Sequence, residues 1–110
     1  MEDCVFCKIV ESKLPAKIVH ESDNILAFLD INPLADIHIL IIPKIHISEV
    51  RDLTSEHGSL LVEIYQAANK LVEENNLKDN FYRILVSGGK AQDVPHLHFH
   101  LLGGQWNKQI

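Results

Sequence analysis

The sequence predicts an α+β domain: a five-stranded antiparallel sheet carrying one long helix, with a short helix at the amino terminus. Three observations carry that prediction. Five short apolar segments of strand length recur along the chain. Most are joined by short polar turns, which suit antiparallel neighbours. One stretch, "TSEHGSLLVEIYQAANKLVEENNL", repeats apolar residues at helical spacing instead.

The elements follow in order. Cys4 to Glu11 reads as one or two helical turns, broken by "ESKLPAK". "KIVHES" and "ILAFLD" flank the polar turn "SDN", a hairpin signal. "INPLAD" is a loop. His38 to Pro43, "HILIIP", is rich in isoleucine and lies between Pro33 and Pro43, as a buried strand does. In the long helix, Leu60, Leu61, Ile64, Ala67, Ala68, Leu71 and Val72 form one stripe, Thr54 is the N-cap and Asn75-Asn76 the exit. "FYRILVSGG" is a strand running into a glycine turn, and "HLHFHLL" is the last strand.

A chain of 110 residues fits one domain, residues 1–110, with a core that needs no staples. Hydrophobic content of 46% and charged content of 23% are globular rather than disordered. A net charge of −5 without a basic patch argues against nucleic acid as a partner. The start "MEDCVFCKIV" lacks the marks of a signal peptide, and no apolar run has transmembrane length, so no membrane association is expected. A cytoplasmic location is the expectation.

The segment "VPHLHFHLLGG" decides the functional reading. On a strand, side chains alternate faces, so His96, His98 and His100 share one face and Leu97, Phe99 and Leu101 the other. On a helix the middle histidine would point away from its neighbours. A merely solvated face has no need of three imidazoles. Two chemistries remain: a metal site built on a His-x-His pair, or a histidine nucleophile tuned by its neighbours. Imidazole suits attack on phosphorus, being neutral near pH 7, nucleophilic and a good leaving group once attached.

Cys4 and Cys7 form CxxC outside a βαβ context, which favours metal over thioredoxin-like redox use. Zinc needs two more ligands, drawn from His20, His38, His46, His57 and the three strand histidines. His46, just after the buried strand, can turn back toward the amino terminus; His20 and His57 read as surface residues without a role.

"HLHFHLL" resembles the motif of the histidine triad superfamily. "CVFCKIVESKLPAKIVHES", "ILAFLDINPLADIHILIIPKIHI", "YRILVSGG" and "VPHLHFHLLGG" together resemble its Hint branch, the histidine triad nucleotide-binding proteins, over nearly the whole chain. The resemblance implies the histidine-triad fold, a homodimer, and hydrolysis of nucleoside 5′-phosphoramidates or similar nucleotidyl conjugates at the α-phosphorus. It implies a purine nucleotide such as AMP, or an adenosine phosphoramidate, as ligand, with no organic cofactor. His98 would be the nucleophile forming a nucleotidyl-histidine, His100 would bind phosphate or assist proton transfer, and His38 would support them. Val5, Phe6, Phe28, Leu29 and Ile31 would line the base pocket, the base lying on Phe6 and Phe28. Asp30 would take the ribose hydroxyls, and backbone N–H groups around Gly88-Gly89 and Gln92 would cradle phosphate. Structural Zn2+ would be held by Cys4, Cys7, His46 and His96.

Two segments depart from the branch. Gln92-Asp93 stands where Gln-Ser is usual. An ionised aspartate cannot donate to phosphate and repels it; it can orient a basic leaving group or, if protonated, donate a proton. Ser87 stands where asparagine is usual, and "GGKAQD" is about two residues shorter than in typical relatives. Ser87, Gln92 and Asp93 are thus the substrate-binding positions on the leaving-group side. Trp106 is expected at a dimer contact or pocket rim. The alternatives are a dinucleoside polyphosphate hydrolase, a zinc hydrolase with all three strand histidines on the metal, and a nucleotide-binding module with little catalysis.

Overall fold

The computed structural model describes residues 3–106, for Trp106 the backbone alone. The contact expected of the Trp106 side chain lies outside the described residues. Helices and strands follow as α1 (Val5–Val10), β1 (Ile18–Glu21), β2 (Ile25–Leu29), β3 (Ala35–Pro43), α2 (Gly58–Glu74), β4 (Tyr82–Val86) and β5 (Phe99–Trp106). The strands form one antiparallel sheet, as the sequence predicts, in the order β1-β2-β3-β5-β4.

The sheet is covered on both faces. Ile25, Ala27, Ile39, Ile41, Phe99 and Leu101 point to one side, where Ile64, Ala67, Ala68, Leu71 and Val72 of α2 meet them. Leu26, Phe28, Leu40 and Ile42 point to the other, against Cys4, Phe6 and Cys7 around α1. Double coverage explains why "ILAFL" and "ILII" are continuously apolar rather than alternating.

Local chemistry sets the helix ends. The Cys4 thiol caps α1 by accepting the Cys7 N–H at 3.3 Å. Ser12, at φ 61°, turns the chain out of the helix. Thr54 caps a single 3-10 turn, Ser55–His57, that leads into α2, so the regular helix begins at Gly58. At the exit, Asn75 Nδ2 donates to the Leu71 carbonyl at 2.8 Å and Asn76 takes φ 57°.

The last strand differs from the expected His96–Leu102. Its ladder starts at Phe99, opposite Ile41, and continues to Trp106, opposite Ala35. That longer pairing draws Ala35 and Asp36 out of the expected loop and, with Ile37, into β3. Before Phe99 the chain leaves the ladder because Leu97 N–H donates instead to the Ile47 carbonyl at 2.7 Å. The alternation survives: Leu97, Phe99 and Leu101 pack with α2, while the histidines face α1.

Gly103 lies under Leu77, where an added Cβ would fall 2.5 Å from a Leu77 methyl. Leu77 is itself buried. Gly103→Ala should therefore cost about 1–3 kcal/mol through overpacking, seen as a lower urea midpoint. An unchanged midpoint would mean that Leu77 moves aside freely.

Candidate active site

The histidine face is organised by hydrogen bonds that fix the tautomer of each ring. The His98 ring is buried, and its Nδ1 lies 2.7 Å from the His96 carbonyl. A carbonyl only accepts, so Nδ1 carries the proton and Nε2 keeps a free lone pair. The edge-on packing of Phe6 and His98, with centroids 5.1 Å apart, holds the ring in place.

A second chain of bonds runs through β3 and β5, which pair Leu40 with His100. The Leu34 N–H donates to His38 Nδ1 at 3.0 Å, so a neutral His38 carries its proton on Nε2. His38 Nε2 lies 2.9 Å from His100 Nδ1 and 3.4 Å from Asp30 Oδ2. Donation from His38 leaves His100 with its own proton on Nε2. One ring thus offers a lone pair and its neighbour a proton, with centroids 5.0 Å apart.

Electrostatics keep both supporting rings neutral. Burial pushes the His38 pKa down, against the pull of the Asp30 carboxylate. Burial, then the His98 and His38 rings, push His100 down to about 4, opposed by Asp30 and Asp93. The unfolded chain, with imidazole values near 6.5, binds protons that the folded chain refuses. This stabilisation is complete above about pH 6.5 and is lost as pH falls toward the folded values. Urea midpoints should accordingly drop between pH 6.5 and 4; a flat profile there would contradict the neutral relay.

Beside the rings opens a hollow of about 390 Å3. Val5, Phe6, Phe28, Leu29, Asp30, Ile31 and Asp93 line it with His98 and His100. Asp30 Oδ1 accepts the Asn32 N–H at 2.8 Å. Phe6 and Phe28 meet edge to face, with 72° between their planes. Sequence reasoning missed Ile9, Leu14, Pro15, Ala16, Asn32, Leu40 and Val94 in the wall. Leu40 was findable, since it alternates with His38 along β3. Leu14 to Ala16 belong to a segment that shows only a break.

Ser87 lines a smaller hollow of about 140 Å3, also bounded by Asp93, His98 and His100. Gln92 lines neither hollow: its Nε2 donates to the Ser48 carbonyl at 2.6 Å. Two of the N–H groups expected to cradle phosphate have protein partners. Gly89 N–H donates to Glu49 Oε1, and Gln92 N–H to the Gly89 carbonyl, both at 3.2 Å.

Cys4, Cys7, His46 and His96 come together, their ligand atoms all within 4.8 Å of one another. Cys4 Sγ to His96 Nδ1 and Cys7 Sγ to His46 Nδ1 are each 3.3 Å, and Cys7 Sγ to His96 Nδ1 is 3.5 Å. Edges of about 3.5 Å are what a tetrahedral ion with N and S ligands requires. His96 Nε2 donates to the Pro43 carbonyl at 2.8 Å, which turns the Nδ1 lone pair toward the sulfurs. Burial, then the Cys4 thiol, push the metal-free Cys7 thiol up to about 11, so a bound cation is what would ionise it. The donor set therefore fits a closed metal site. His98 belongs to no ligand cluster among the described residues, which removes the basis for a zinc hydrolase with three strand histidines on the ion.

A family profile described as "Scavenger mRNA decapping enzyme C-term binding" matches residues 3–110. The purine nucleoside phosphoramidase of Escherichia coli (strain K12) is 39% identical over 106 residues, 94% of this chain and 89% of that one. The chain belongs to the histidine triad family. A HIT family hydrolase from Legionella pneumophila Philadelphia 1 superposes with TM-score 0.91 at 43% identity, covering 94% of each chain. Another from Clostridium thermocellum gives 0.92 at 44% identity, covering 96% of this chain and 93% of that one. Relatives of this similarity support hydrolase activity for this chain.

Proposed function

We propose that this histidine triad protein hydrolyses nucleoside 5′-phosphoramidates or similar nucleotidyl conjugates at the α-phosphorus, through a covalent nucleotidyl-His98 intermediate. The carrying observation is the pair of opposite tautomers, a lone pair on His98 Nε2 beside a proton on His100 Nε2. The similarity to a purine nucleoside phosphoramidase supports a purine nucleotide such as AMP as ligand.

The nucleoside occupies the larger hollow, with its ribose hydroxyls on Asp30 and its base against the apolar wall. His98 Nε2 attacks phosphorus as the P–N bond breaks, and His100 Nε2 gives its proton to the departing amine. Water then attacks phosphorus and returns a proton to His100, and AMP leaves as His98 regains its lone pair. Splitting the displacement avoids direct attack by water on an anionic centre, and positioning lowers the barrier by several kcal/mol.

Zinc is the proposed resident ion, which Cys4, Cys7, His46 and His96 would hold, cross-linking the start of α1 to the segment that carries His98 into β5. A homodimer is proposed from the place of β4 as the outermost strand among the described residues, with Tyr82 and Val86 exposed, and from Val62 and Tyr65 exposed on α2. No described helix is long and apolar enough to cross a membrane.

AMP release from adenosine 5′-phosphoramidate, run beside a diadenosine polyphosphate, tests the reading. Faster turnover of the phosphoramidate is expected. Faster turnover of the dinucleotide would assign the site to polyphosphate hydrolysis, and AMP binding without turnover of either would make it a binding module.

A further inference from the structure

The two hollows meet at His98 and His100, and Asp93 borders both. Once a nucleoside fills the larger one, the smaller is the space left beside the imidazoles for the other substituent on phosphorus. Its wall is apolar at Leu34, Leu85 and Leu102. Ser87 supplies a hydroxyl, and Asp93 is the one acidic side chain there. Among the described residues, no lysine or arginine lines either hollow. The field of Asp93 reaches the catalytic rings, since it raises the proton affinity of His100. A carboxylate at this mouth attracts a cation and repels an anion.

We propose that Asp93 makes the smaller hollow selective for leaving amines that carry a second, positive charge on a short alkyl arm, and disfavours amines that carry a carboxylate. The inference rests on the phosphoramidase reading and names its substrate class. The arm lies along Leu34, Leu85 and Leu102, and the ammonium group reaches Asp93. Its reacting nitrogen leaves phosphorus as His98 attacks and takes the proton from His100, so charge and atoms balance as for any amine. Because Asp93 is solvent-exposed, the preference is modest and salt-sensitive.

The test uses four adenosine 5′-phosphoramidates: unsubstituted, N-(2-aminoethyl), N-propyl and N-carboxymethyl. The expected order of kcat/KM is aminoethyl, then propyl, then carboxymethyl, with about a threefold to fivefold step between charge classes at low salt. The aminoethyl-to-carboxymethyl ratio should shrink toward one in 1 M salt and in Asp93→Asn. Taking ratios within each protein removes any general effect of the substitution. Equal rates across the charged series, or a ratio that persists in Asp93→Asn, would overturn the role of Asp93. If that variant does not fold, a ratio indifferent to salt in the natural protein overturns it equally. Turnover of the unsubstituted compound with a flat series refutes this inference alone; no turnover of any of the four refutes the phosphoramidase reading as well.

Discussion

Substituting alanine for His98 should lower AMP release from adenosine 5′-phosphoramidate by about 10^4-fold or more, the scale on which enzymes lose rate when a nucleophile is removed. The expected size follows from the absence of a substitute. His96 turns its free lone pair toward the cysteines, and His100 holds its own between itself and His38. Of the three strand histidines, only His98 presents an uncommitted lone pair. The loss should fall on kcat, with AMP affinity changed no more than a few-fold, because the larger hollow is built mainly from other residues. Truncating a buried, hydrogen-bonded ring also costs stability, about 1–3 kcal/mol, so folding should be checked by circular dichroism. Added imidazole, entering the space left by the side chain, should restore part of the rate. Retained turnover in a pure preparation of the variant would remove His98 from its role.

The second large effect is expected at the cysteines. Cys4→Ala deletes a ligand and the cap of α1 together. It should abolish binding of one zinc per chain and cost about 4 kcal/mol or more, the range of a lost metal site. For a domain of this size that corresponds to a fall in Tm of roughly 20 °C. Chemistry should suffer less than stability at temperatures where the variant is still folded, since no cysteine borders either hollow. Metal analysis and calorimetry decide it. A variant that keeps its Tm, or that stays folded and loses all turnover, would show that zinc acts elsewhere than proposed.

Much of this was legible in the sequence because two periodicities do most of the specifying. The alternation in "HLHFHLL" separates the site face from the core face without any coordinates. The stripe from Leu60 to Val72 fixes which side of α2 meets the sheet, although Leu60 and Leu61 remain half-buried. What escaped are consequences of tertiary contact. The ladder begins at Phe99 because Ile47, distant in sequence, takes the Leu97 N–H. Gln92 turns to Ser48 for the same kind of reason. A family resemblance identifies which residue types gather at a site, but not that Phe6 and Phe28 meet at 72°.

The doubly covered sheet has a consequence for folding fidelity. β2 and β3 carry aliphatic side chains on both faces, so sliding one along the other by two residues would still bury comparable surfaces. Aliphatic contacts alone index such strands poorly. The neighbouring β3–β5 pair is different, because the bond between His38 and His100 forms with Leu40 opposite His100. His38 and His100 therefore also act as an alignment pin between β3 and β5, and replacing them should loosen that register as well as the site.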